Sequence, residues 1–224
     1  MVKKGIILCL SCLLLFLTAC GDDDKANEKE NQGTTQESLE ILDEEIVDAE
    51  TLVVNVNGQE LDGKKYNQVY KQIKTIMYQS GQDVSNPDVI KERTLTALIE
   101  QELINQEVLN KGIKVKEEDA SKELETIKEE TGDQFSAILE QLNMNEEDFE
   151  KQLLEDLTTE KYMEHEFAVT DKEVEEYYNQ LKEENKEIPE LEEMKENIKL
   201  FLLKNQLKSR LAELKEKAEI EQLI

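Results

Sequence analysis

Residues 51–61 read Thr-Leu-Val-Val-Asn-Val-Asn-Gly-Gln-Glu-Leu, and residues 218–221 read Ala-Glu-Ile-Glu. The β-branched run from Leu52 to Val56 is followed by Asn57-Gly58, a dipeptide suited to the left-handed positions of a two-residue hairpin turn, and then by Gln59 to Leu61. The second stretch alternates apolar and charged residues like a short strand, and its expected partner is Val53–Val56. That pairing would staple the two ends of the folded part together. Everything between the strands reads as helix, so the expected fold is mainly α, with a two- or three-stranded β element joining the N- and C-terminal segments.

The helical reading rests on spacing and caps. Tyr66, Tyr70, Ile73 and Met77 fall at i, i+4, i+7 and i+11, and Gly81 supplies a stop. Asn86-Pro87 predicts a cap and a first-turn proline for a long helix through Ile90, Leu95, Leu98, Ile99, Leu103, Ile104 and Leu109, ending at Gly112. A third helix is expected over Glu117–Thr131, and a short fourth is expected to be capped by Asp133. The fifth opens at Asn145 and bears Phe149, Leu153, Tyr162 and Phe167. Thr170 and Glu173 form a capping box for a sixth, carrying Val174, Tyr177, Tyr178 and Leu181. Ile188-Pro189 breaks the pattern, and the longest helix runs from about Glu190 to Lys217. No fixed-period repeat is visible, so a solenoid is not indicated.

Composition agrees. The 224 residues include 53 Asp+Glu against 27 Lys+Arg, a formal charge of −26, with 5% aromatics, two Pro and eight Gly. So few breakers and so many helix formers argue against a β-sandwich or barrel. The charge repels phosphate backbones and anionic headgroups, so nucleic acid is not an expected partner. The local basic surplus, Lys199, Lys204, Lys208 and Arg210, is expected to meet acidic helices of the same fold.

Met1-Val2-Lys3-Lys4, the apolar run Ile6–Leu17 and Thr18-Ala19-Cys20 fit a secretory signal over residues 1–19. Leu17-Thr18-Ala19-Cys20 resembles a bacterial lipobox, in which Cys20 becomes the acylated N-terminus (diacylglyceryl, palmitate-type chains). An ordinary signal with a chance Cys is the alternative. Cys9 and Cys12 would leave with the signal, so no free thiol, disulfide or Cys metal ligand is expected. Gly21 and the Lys/Glu/Asn/Ile-rich composition favour a Gram-positive-type cell, with the anchor on the extracytoplasmic face of the cell membrane. Residues 20–50 then form the lipidated Cys and an acidic tether, with 12 acids against two Lys over 21–50. Such a segment is expected to be disordered and, fully extended, to reach about 100 Å, with Ser38–Val47 a transient helix at most. The third segment is a single helical domain over 51–224, with 41 acids against 23 bases.

Val53–Gly58, Leu98–Glu107, Lys111–Val115 and Glu147-Asp148-Phe149 together resemble the N-terminal chaperone domain of the SurA/PrsA foldases. Val169–Val174 is similar to the segment that leads into their parvulin prolyl-isomerase domain, and the last helix with Glu219-Ile220-Glu221 is similar to their return segment. The resemblance implies a membrane-anchored, ATP-independent extracytoplasmic chaperone that binds unfolded secreted proteins through an apolar cleft. It also exposes a departure, because Lys182–Glu190 is too short to hold an inserted domain, which would need about 50 residues. The lone His165 cannot build the family's polar cluster. No isomerase activity, cofactor or metal is therefore expected, and His165 is expected to be solvated, with Glu164 and Glu166 on other helix faces.

Client contact calls for adaptable apolar side chains, and Tyr66, Tyr70, Met77, Tyr78, Met144, Tyr177 and Tyr178 are the candidates. Each also fits a core position. Tyr78, Met144 and one of the adjacent Tyr177/Tyr178 pair are the best placed for exposure, since neighbours cannot share a helix face. The alternative function is a non-catalytic structural or assembly lipoprotein that binds one dedicated partner or a second copy as a homodimer.

Overall fold

The structure, a computed structural model, describes residues 39–142 and 144–224. The signal segment, Cys20 and the first part of the acidic tether lie outside the described residues.

Strand β1 (Leu52–Val56) is the middle of a three-stranded antiparallel sheet, with β2 (Gln59–Asp62) on one side and β3 (Ile220–Gln222) on the other. Asn57 (φ 54°) and Gly58 (φ 87°) supply the two left-handed positions of the β1–β2 turn. β3 pairs Val56 with Ile220 and Val54 with Gln222, and is locked at its start by Asn57 N–H donating to Glu219 O and Glu219 N–H donating to Asn57 Oδ1. The terminal staple expected from the sequence is therefore present. Val53, Val54 and Val56 are fully buried, since β1 is flanked by strands at both edges and covered by helices.

Helix α1 (Gly63–Gln79) starts where Asp62 Oδ1 accepts from Lys65 N–H, and it buries Tyr66, Val69, Tyr70, Ile73 and Met77. Gly63 is demanded by a crossing chain. A Cβ there would stand 2.0 Å from Asp48 O, so only hydrogen fits. Helix α2 (Pro87–Asn110) is capped by Asn86 as expected and buries apolar residues on more than one face, because it lies between α1 and the later helices. Gly112 (φ 67°) ends it.

Helix α3 (Glu117–Thr131) has the expected bounds. Asp133 does not cap the next helix: Gly132–Gln134 form a 3₁₀ turn, Phe135 N–H donates to Gly132 O, and α4 (Phe135–Gln141) grows directly from that turn without a side-chain cap. Helix α5 (Glu146–Glu166), capped by Asn145, joins two cores. Its first half puts Phe149 and Leu153 with Ala120, Leu124, Ile127 and Phe135, while its second half puts Tyr162 and Met163 in the main core with β1, α1 and α2. A third cluster, Val174, Tyr178 and Ile198, holds α6 (Asp171–Glu184) against α7 (Leu191–Lys217). Among the described residues no helix is long and apolar enough to cross a membrane.

The tether expectation needs correction over its last dozen residues. Residues 39–50 pack along α1, with a 3₁₀ turn at Asp43–Glu45 in place of a transient helix. Glu45 pairs with Lys74 at 2.6 Å, with the two side chains only 5% and 6% exposed, and also accepts from Tyr70 OH. The Asn67 carboxamide takes both backbone groups of Val47, while Ile46 and Val47 pack on the main core. Apolar burial and one well-placed cation here outweigh the self-repulsion that composition suggested.

Candidate functional site

Helix α6 begins at the Thr170–Glu173 capping box: Thr170 N–H donates to Glu173 Oε2 at 2.8 Å, and Glu173 N–H donates back to Thr170 Oγ1. This fixes the entry angle of α6 against α7. Tyr178 then turns inward, buries in the third cluster and donates its hydroxyl to Pro189 O at 3.0 Å. Its neighbour Tyr177 must face elsewhere, and it stacks on Phe201 of α7 with ring centroids 4.9 Å apart and an interplanar angle of 29°. Phe201 remains 43% exposed.

A cleft of about 610 Å³ opens between α6 and α7, with Tyr177, Leu202 and Phe167 as its apolar lining. Its polar lining includes Gln180, Asn205 and Gln206, carboxamides that can donate to and accept from a polypeptide backbone. Glu173, Glu176 and Glu213 add negative charge. Among the described residues Arg210 is the one cation of the lining, and it is already engaged, donating to Glu107 on α2 at 2.8 Å and to Glu213 at 3.0 Å. The hydrogen bond to Glu107, with further bonds to Tyr162 and Glu213, holds the Arg210 guanidinium above its ordinary pKa, so it stays charged. Burial raises the Tyr162 hydroxyl likewise, keeping it a neutral donor to Glu107. The floor of the cleft is thus tied rigidly to the central helix.

The expected contact residues divide in two. Tyr66, Tyr70, Met77 and Tyr178 are buried, at 1–5% exposure, and belong to cores: helical spacing brought them to one face, and that face is covered by the sheet, α2, the 39–50 segment or α7. As contact residues they are corrected. Tyr78, Met144 and Tyr177 are half-buried, and only Tyr177 lines the cleft. Met144 instead packs beside α4 and accepts from Gln72. Sequence reasoning missed Phe167 as a lining residue, and Phe201 as the exposed ring that stacks on Tyr177 outside the lining. The signal for Phe201 was the unbroken run Leu200-Phe201-Leu202-Leu203, wider than one helix face can bury.

His165 is exposed and lies 2.7 Å from Glu166, which also pairs with Lys111, so Glu166 is closer to the imidazole than helix-face geometry suggested. Among the described residues no three His, Cys, Asp or Glu side chains gather as a metal site. The basic surplus meets acids in part: Arg210 reaches Glu107, and Lys215 beyond it reaches Glu100 at 2.6 Å.

Among the described residues the architecture is a helical domain whose first and last strands pair and whose helices pack in three clusters. A family model for the SurA-like N-terminal domain matches residues 25–163, and the chain belongs to that family. The chain is also similar to Foldase protein PrsA 2 of Listeria innocua, at 34% identity over 91 residues, covering 41% of this chain and 31% of that protein. Foldase protein PrsA 2 of Bacillus cereus is 35% identical over 78 residues, covering 34% of this chain and 27% of that protein. The chain thus spans about a third of the length of the curated relatives it matches. The α6–α7 cleft lies beyond the residues matched by the family model.

Proposed function

We propose that this protein is a membrane-tethered, ATP-independent extracytoplasmic chaperone that holds unfolded secreted polypeptides in the α6–α7 cleft. The observation that supports this most is the open Tyr177–Phe201 stack beside three carboxamides: an apolar surface, next to groups able to satisfy a peptide backbone, left uncovered by the protein's own core. In this reading residues 1–19 are removed, Cys20 carries the lipid, and the stretch ahead of residue 39 spaces the domain from the membrane. Residues 185–190, which join α6 to α7, are the whole of the connection at the place where an isomerase domain would be inserted, so client holding proceeds without proline isomerisation by this chain. Acidic walls keep the complex dispersed.

The test is light scattering with several unfolded clients. Suppression of aggregation near stoichiometric ratios is expected. Absence of suppression at excess, together with one stable stoichiometric partner in a pull-down, would replace this proposal with the dedicated-partner lipoprotein.

A further inference from the structure

We infer that the α6–α7 cleft selects cationic apolar segments: stretches of extended polypeptide in which an aromatic or large aliphatic side chain is flanked by Lys or Arg. This rests on the client-binding reading above and names which clients it favours. Three observations converge on it.

The apolar contact is small and central. Tyr177, Leu202 and Phe167 are the apolar lining of the cleft, and Phe201, 43% exposed and stacked on Tyr177, extends that surface beyond the lining, a short apolar patch set among polar residues. The lining charge is lopsided, with Glu173, Glu176 and Glu213 against Arg210 alone. These four are not equivalent. Arg210 is consumed by Glu107 and Glu213, and Glu173 is consumed by the Thr170 capping box. Glu176 is held only by Lys172 in a surface pair whose side chains are 58% and 82% exposed, a contact that an incoming cation displaces at little cost. Glu213 is likewise 58% exposed and must share the single Arg210 charge with Glu107, so one negative charge of that trio stays uncompensated. A Lys or Arg beside the bound apolar residue can therefore reach Glu176 on α6 or Glu213 on α7, and can lie over the aromatic faces between them. The wider field points the same way, since residues 51–224 carry 41 acids against 23 bases. An anionic segment of equal hydrophobicity meets repulsion from both walls, and the lining's cation among the described residues, Arg210, is already paired.

The test uses the full chain and two fluorescent peptides with the same Leu-Phe-Tyr centre, one flanked by Lys and one by Glu, read by anisotropy at low and high salt. The Lys form is expected to bind at least about tenfold more tightly at low salt, with the gap shrinking as salt screens the walls. Phe201→Ala should weaken both peptides. The double variant Glu176→Gln/Glu213→Gln should cut the Lys preference by about threefold or more, while Glu129→Gln/Glu130→Gln, the same charge change at the exposed end of α3, should leave it in place. Equal binding of the two peptides would overturn the inference, as would an equal loss of preference in the two double variants or indifference to Phe201→Ala. If aggregation suppression persists through such a result, the chaperone reading stands and only the charge selection falls; if suppression is absent as well, both fall.

Discussion

Replacing Asp156 with Asn should stabilise the protein above neutral pH and leave it nearly unchanged in acid. Asp156 sits on α5 between Leu153 of the second core and Tyr162 of the main core, 7% exposed. Its Oδ1 accepts from Gln152 at 3.0 Å, and its Oδ2 has no hydrogen-bond partner among the described residues. Burial pushes the carboxyl from the ordinary 3.8 up to about 7; the Gln152 bond and the more distant Lys65 oppose this, while Glu155 and Glu160 add to it. Between these two values the folded protein holds a proton that the unfolded chain has released. Stability therefore falls as pH rises across that interval, by at most about 1.4 kcal/mol per unit and about 4 kcal/mol in all. Asn keeps the shape and the Gln152 contact without the charge. Urea denaturation followed by circular dichroism, from about pH 5.5 to 8.5, stays clear of the isoelectric point near 4.4. Over that range the advantage of Asp156→Asn should grow by about 2 kcal/mol and level off above pH 7. An advantage constant across pH would refute the buried protonated state, and a loss of stability at every pH would show that the ionised carboxylate has a partner.

Gly63→Ala should cost about 3 kcal/mol or more in chemical denaturation, because the new methyl falls on Asp48 O, and a cost under about 1 kcal/mol would mean that residues 48–51 do not cross there. Glu45→Ala leaves Lys74 buried without its carboxylate and should cost about 3–5 kcal/mol, whereas Glu45→Leu combined with Lys74→Met should recover most of that loss in the same assay. Thr170→Ala removes the α6 cap and should lower stability by about 1 kcal/mol, with hydrogen exchange accelerated first in residues 171–175. Asn57→Ala loses the bond from Glu219 N–H and places Ala at φ 54°; a loss of about 1–2 kcal/mol is expected, with β3 amides exchanging fastest.

What the sequence made legible was local chemistry. Asn86 with Pro87, Asn145 with Asp148, and Thr170 with Glu173 are readable because cap and amide lie within three residues of each other, and each stands where it was expected. The pairing of β3 with β1 was readable because Ala218–Glu221 alternates and the other expected strands already pair as a hairpin. Covering was not readable. Periodicity put Tyr66, Tyr70 and Met77 on one face, but their burial depends in part on residues 39–50, whose fixed position depends on Lys74 meeting Glu45 across 29 positions. The same limit applied to the candidate site. Adjacency allowed only one of Tyr177 and Tyr178 to be exposed, and which one was decided by Pro189 O reaching the Tyr178 hydroxyl. Asp156 gave no signal at all, being one acid among many in α5.

The pairing of β3 with β1 also sets an order of events during synthesis. Strand β1 lies near the start of the described fold, yet one of its edges stays bare until residues 220–222 leave the ribosome. Until then Val53, Val54 and Val56 have only the β2 hairpin and any helices already made. This contact of very large sequence separation can form only after every described helix has been made, and it is slow to close. The nascent chain therefore presents an open strand edge until residues 220–222 are made, and a protein proposed to shelter unfinished polypeptides carries an unpaired edge of its own until then.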